Sequence, residues 1–189
     1  MYTDITGYMP EWLNDLLRFV GGVLVTAAGA VVTVGTAPLL LIPGLSSVPL
    51  FSFNMTFYGA MLVASPFSSS VKSDMGLIKW NPFNNDAGAV ASSNDISFYK
   101  GVFVFRYGKS GGGGISFGII GLGRGASVNT VRHEYGHHKQ QRLMGLALFT
   151  PIVGIPSLIS AATSSYNEHA NRWYERWATD WGNNGWFWL

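Results

Sequence analysis

Two long apolar runs stand near the start of the chain. Residues 19–42 read FVGGVLVTAAGAVVTVGTAPLLLI, and residues 48–64 carry Phe51, Phe53, Phe57, Met61 and Leu62. Pro43 and Gly44 fall between them and punctuate helices. The pattern predicts a helical hairpin. A run of about 20 apolar residues can span a bilayer, or it can form a buried apolar layer of a soluble fold. Gly21, Gly22, Gly29 and Gly35 weaken a water-exposed helix, but small residues also let membrane helices pack closely. Further on, residues 96–107 and 115–122 are rich in aromatic and β-branched residues and read as strands, expected to pair as a hairpin across a turn at 109–114. Ser127 or Asn129 can cap a helix reaching about Met144, with Gly145 as its stop. Residues 143–162 are apolar but interrupted by Pro151 and Pro156, which predicts a loop with short helical pieces. Residues 166–181 read as a last helix ending at Gly182, followed by an aromatic tail at 186–189. No internal repeat is present.

Charge changes this picture by dividing the chain. No Asp, Glu, Lys or Arg lies between Arg18 and Lys72, a stretch of 53 residues. The first 18 residues carry a net charge of −2, and the chain from Lys72 onward carries +4. Three segments follow: 1–18, a junction; 19–71, an uncharged segment able to insert into a membrane; and 72–189, a soluble domain. Only 12% of the 189 residues are charged, against about 25% in an ordinary soluble domain, which excludes a charge-rich disordered chain. A net charge of +2 is too small to indicate a nucleic-acid partner. The absence of cysteine excludes a disulfide framework, a Cys-ligated zinc and thiol catalysis. The opening MYTDITGYMPEW lacks a basic n-region, and the apolar run starts too late for a cleaved signal peptide.

The chemistry concentrates in the predicted helix after residue 127. His133-Glu134-Tyr135-Gly136-His137 spells H-E-x-x-H. Positions i and i+4 lie about 40° apart around a helix, so both imidazoles can bind one zinc ion. Glu134, about 100° from His133, can take a proton from a water acidified by the metal. This is the chemistry of a zinc-dependent hydrolase. Gly136 leaves room for another element beside the metal. A catalytic zinc needs a third protein ligand. No Asp, Glu or His lies between His138 and Asn167, so the candidates are Glu168, His169, Glu175 and Asp180. Glu175 is preferred, because Ala178 three residues on permits close helix approach; Glu168 and His169 remain alternatives. His169 and Asp180 can also orient a ligand from outside the metal shell. His138 is expected on the exposed face, and Arg132, Lys139 and Arg142 are expected to form the solvated side of this helix.

His133 to His137 followed by Gln140, Gln141, Leu143 and Gly145, then G-I-P-S-L from Gly154 and E-R-W-A from Glu175, resembles a small zincin-like metallopeptidase domain of the gluzincin type. Such domains form C-terminal tips of bacterial Rhs/YD-repeat polymorphic toxins. The segments at 7–19, 73–84 and 97–106 resemble variable tips of the same class, and Asp4-Ile5-Thr6-Gly7 resembles the D-P-x-G that closes an Rhs core, with Ile5 in place of the proline. The resemblance implies an α+β fold: a β-hairpin or short sheet, a metal-binding helix and a second ligand helix, preceded by a hydrophobic helical segment. It implies His133, His137 and Glu175 as zinc ligands and Glu134 as general base. It implies a protein substrate, a carrier, a cognate immunity protein, and secretion or delivery into a target cell with membrane contact. Related domains often place an acidic residue four after the ligand glutamate, where this chain has Thr179. Zincins line substrate along an edge strand, and residues 115–122 are the candidate. Tyr166 and Tyr174 are candidates to face a developing oxyanion.

Three other signals carry no function. Gly108-Lys109-Ser110 lacks the glycine a phosphate loop needs at position 103, which is Phe103. Gly121 to Ala126 fits G-x-G-x-x-A, but no acidic residue follows at about 20 positions. Asn54-Met55-Thr56 is a glycosylation sequon inside an apolar run. The competing reading of the whole chain is a membrane-inserting or translocation module whose zinc site is structural or degenerate.

Overall fold

The computed structural model describes residues 11–68, 71, 83–93, 95–108 and 111–184. The aromatic tail at 186–189, the 4–7 tetrapeptide and most of the 73–84 stretch lie outside these residues. The chain is α+β. Helix α1 (Glu11–Thr36) and helix α2 (Ser47–Ala64) form the predicted hairpin, joined by a bend that includes a short 3-10 turn at Ala37–Leu41. Short helix α3 (Ala87–Ala91) follows, capped by the Asp86 carboxylate. Next come strands β1 (Ile96–Tyr99), β2 (Val102–Tyr107), β3 (Gly114–Phe117) and β4 (Ile119–Gly123). Helix α4 (Val128–Phe149) continues through one π-helical turn (Thr150–Gly154) into α5 (Ile155–Thr163). Helices α6 (Tyr166–Ala170) and α7 (Trp173–Asn183) close the described chain.

Strand pairing departs from the sequence expectation. Residues 96–107 and 115–122 do not pair with each other as one hairpin. Each run is itself a hairpin: β1 with β2, and β3 with β4. The first reverses at Lys100-Gly101, both with positive φ (51° and 82°), as tight hairpin turns require. The second reverses at Gly118. A parallel β2–β4 ladder joins the two, giving the order β1-β2-β4-β3 among the described residues. Strand β3 is therefore an edge.

The sheet buries both faces with the period of two that strands impose. Val102, Val104, Ile120 and Leu122 face α3 and α4, meeting Val90, Val131 and Tyr135. Phe98 and Phe103 face the other way, against Phe57, Tyr58, Met61 and Leu62 of α2. The side-chain amide of Asn54, wholly buried, locks this second layer. It donates to Leu50 O and Gly118 O and accepts from Phe103 N. The sequon asparagine is thus a structural bolt. Helix α1 packs on α2 through small residues: a Cβ on Gly22 would fall 2.8 Å from Gly59 O, and one on Gly29 2.9 Å from Thr56 N. Its outer face is apolar, with Leu24, Val31 and Val34 exposed. Among the described residues, three helical stretches are long and apolar enough to cross a membrane: Glu11–Leu41, Ser47–Phe67 and Val128–Thr163. In the last of these, residues 134–141 of α4 are buried in protein, and the exposed apolar side chains lie further on, at Leu148, Ile152, Ile155, Leu158 and Ile159.

Two helices differ from expectation. Residues 143–162 are helical rather than looped; Gly145 (φ 70°, ψ 159°) kinks α4, but the backbone then resumes helical hydrogen bonding. The bend after α1 docks at this kink, with Gly44 N donating to Leu143 O and Ser46 Oγ to Gln141 O. Residues 166–181 are two helices, because Arg172 is extended (ψ 144°) between α6 and α7. Helices α4 and α7 pack backbone to backbone, since a Cβ on Gly136 would collide with the Ala178 carbonyl. Overpacking such a contact costs about 1–3 kcal/mol. Gly136→Ala should therefore lower stability by that amount in denaturant titration. Gly21→Ala, where a Cβ meets nothing within 4 Å, should raise it by up to about 1 kcal/mol.

Candidate metal centre

Helix α4 starts where the sequence offers a cap. Ser127 is extended (ψ 172°), its hydroxyl accepts from Thr130 N, and Thr130 reciprocates. This cap sets the phase that brings His133 and His137 onto one face, ring centroids 4.8 Å apart. Helix α7 supplies Glu175, which is 1% exposed. Nε2 of His133 and Nε2 of His137 each lie 3.0 Å from Glu175 Oε2. These three residues form a group that can hold a metal ion, their ligand atoms within 4.8 Å of one another.

The outer nitrogens are also fixed. Gln140 is fully buried and donates through Nε2 to Tyr174 O, so its Oε1 faces His137 Nδ1 at 2.8 Å. That oxygen can only accept, so His137 carries a proton on Nδ1, and Nε2 is the nitrogen that would take a cation in the centre. His133 Nδ1 lies 2.9 Å from Thr179 Oγ1. Thr179 stands at the position where related domains often place an acid; the exposed Asp180 next to it makes no bond to either histidine. The pairing of each imidazole with an outer oxygen is the arrangement that orients metal-binding histidines. Glu175 Oε1 is buried and makes no hydrogen bond within ordinary distance among the described residues, although the Ser157 hydroxyl stands close enough to favour the carboxylate's charge. A buried carboxylate oxygen left unpaired, beside two inward-facing ring nitrogens, fits a divalent cation of the nitrogen- and oxygen-binding kind.

Burial and mutual contact shift three ionisable groups of the centre. Burial pushes the Glu175 carboxyl up, but hydrogen bonds from His133 and His137 outweigh it and hold it well below the usual carboxylate range. Burial disfavours charge on His137, yet the Glu175 hydrogen bond and the Glu134 and Glu175 charges raise it on balance. Glu134 is 5% exposed and its carboxyl is pushed up by burial, opposed by the His137 and His133 charges. It lies against the edge strand: a Cβ on Gly114 would fall 2.5 Å from Glu134 Cγ. The cleft over the group encloses about 250 Å³. Strand β3 forms one wall, and Phe149, Leu158 and Ala161 line the other.

The remaining candidates take different places. Glu168 is exposed and caps α6 by accepting from Ser165 N at 2.9 Å. His169 lines the cleft, its Nε2 3.8 Å from Glu175 Oε2. Tyr174 donates its hydroxyl to Pro156 O, and Tyr166 is 83% exposed. His138 is buried rather than exposed, stacked on Tyr135, and burial with the Arg142 charge lowers it to about 3. Lys139 is buried as well, donating to Trp181 O at 2.6 Å. The cause is that residues 134–141 are all enclosed by neighbouring elements, so this part of α4 has no solvated side. Gln140 and Gln141 acquire their roles only in three dimensions. Gln141 accepts from Gly118 N and donates to Ser116 O, which bolts the β3–β4 turn to the metal helix. Their signal was adjacent glutamines one turn past the motif.

Gln140→Leu and Thr179→Val should each weaken metal binding by about 10–100-fold in competition with a chelator, while Glu175→Ala should abolish stoichiometric binding. The chain matches no protein-family model, no curated protein and no solved structure, so the reading of this centre rests on its own geometry.

Proposed function

We propose that this chain is a zinc metallopeptidase acting as a toxin or effector domain. The observation that carries the reading is the convergence of His133 and His137 Nε2 on buried Glu175, with Glu134 one residue along and tucked against an edge strand. His133, His137 and Glu175 would hold the zinc. When bound, the ion supplies a water acidified to near neutrality and a Lewis acid for the scissile carbonyl. Glu134 takes the proton at its carboxylate and delivers it to the leaving amine. Its burial favours the protonated form and so strengthens it as a base. The outer edge of β3 pairs with an extended peptide backbone, which gives affinity with little demand on sequence. Gly114 keeps the strand close to Glu134.

The resemblance to Rhs/YD-repeat toxin tips supports a carrier, an immunity protein and delivery into a target cell. A second reading, membrane insertion, is favoured by one observation. The helical stretch Glu11–Leu41 is long and apolar enough to cross a membrane and is hardly covered by the rest of the described residues. In this reading the outer face of α1 meets a bilayer and the metal centre is structural or degenerate.

Metal analysis and one substitution separate the two. Purified chain should carry about one zinc, absent from His133→Ala and Glu175→Ala. Glu134→Gln should keep the zinc and the fold while proteolysis falls by about 10²–10⁴-fold and toxicity on intracellular expression disappears. Full toxicity of Glu134→Gln, with vesicle leakage unchanged, would replace the peptidase by the membrane-active module.

A further inference from the structure

We propose that His169 is an exchangeable fourth protein ligand of the metal centre, closing the site in the resting protein until substrate displaces it. The inference rests on the metal-site reading above and extends it. Of the four histidines, His138 is buried in a stack with Tyr135 and takes no part in the cluster. The other three aim Nε2 at one atom. His133 and His137 lie 3.0 Å from Glu175 Oε2, and His169 Nε2 lies 3.8 Å from the same oxygen.

The 3.8 Å distance is too long for a hydrogen bond. Donors bound at about 2.0–2.2 Å around a tetrahedral zinc stand about 3.3 Å apart. From Glu175 Oε2 the first two nitrogens stand inside that value and His169 Nε2 stands outside it, so His169 lies at the rim of the three-residue group and must move inward to join the shell. Its outer nitrogen repeats the pattern of the other two. His169 Nδ1 lies 3.2 Å from Ser160 Oγ, and Ser160 is 5% exposed. All three imidazoles therefore have a side-chain oxygen at Nδ1 and the centre at Nε2, the arrangement expected of ligands.

The mounting of His169 differs. His133 and His137 sit within long α4, closely packed by α7. His169 sits on α6, five residues long and fixed by its own capping box of Ser165 and Glu168. Four protein ligands make a closed, structural type of site, whereas catalysis needs an open position. A ligand on a short separate helix that also lines the cleft can serve both states. Substrate lodged against β3 displaces the imidazole, which stays tethered to Ser160.

X-ray absorption spectroscopy on the zinc-loaded full chain counts the imidazoles directly. The expected result is three in the wild type. In His169→Ala and His169→Gln it is two plus an added oxygen donor, with zinc still at one per chain and affinity lowered at least about tenfold. Cobalt substitution should show the same change in coordination in the visible spectrum. Two imidazoles in wild type and variants alike, with unchanged affinity, would overturn the inference and leave the three-residue site standing. A folded wild type without zinc would overturn the metallopeptidase reading and this inference with it.

Discussion

A carboxylate buried to 1% exposure is the constraint around which this protein is arranged. An isolated charge there would cost far more than a small domain can spare. Glu175 stays ionised because two imidazole nitrogens reach one of its oxygens from α4. That requires α4 and α7 to approach at backbone distance. Gly136 and Ala178 permit it, and Gly182 does the same one turn along, against the Arg132 carbonyl. Gln140 then joins the two helices a second time, holding His137 with one end of its amide and the Tyr174 carbonyl with the other.

The same economy places the sheet. Gln141, next in sequence to Gln140, faces the opposite partner and grips the β3–β4 turn. Adjacent helix positions thus hold α7 and the edge strand in fixed relation to His133 and His137. From the other side Asn54 reaches the same turn at Gly118, so α2 and α4 clamp one hairpin between them. The cleft wall is therefore tied into the core at both faces, and β3 presents an edge with no partner strand among the described residues. Rigid edges suit backbone pairing with an extended chain, because little order is lost on binding.

The uncharged segment has a divided character. One side of α2 is core, meeting the phenylalanines of the sheet. Helix α1 uses glycines and threonines to lie close on α2, with Thr26 and Thr33 hydroxyls returned to carbonyls four residues back. This leaves large aliphatic side chains on the outside of α1, where water is a poor partner. A helix whose threonine hydroxyls are satisfied internally and whose exterior is apolar is compatible with lipid contact. The sheet packed against α2 makes the outer face of α1 the surface available for it.

Much of the centre was legible in the sequence because it is local. Spacing fixes the shared face of His133 and His137, Ser127 marks the cap, and Gly136 and Ala178 announce a close approach. The hairpin of apolar helices and the absence of charge from 19 to 71 are likewise composition and period. Tertiary structure decided the rest. Which strand paired with which depended on where Lys100-Gly101 and Gly118 reversed the chain, and alternation of apolar residues carries no such mark. His138 and Lys139 looked solvated because helical phase gives direction, not what lies in that direction. Here neighbouring elements enclose α4 from residue 134 to 141. Glu168 and Glu175, seven residues apart, would share a face on the single helix expected over 166–181, but the extended Arg172 puts them on different helices. Thr179 and Gln140 became partners of the histidines through helix–helix depth and rotation. Those are set by contacts between distant segments and by no spacing within one.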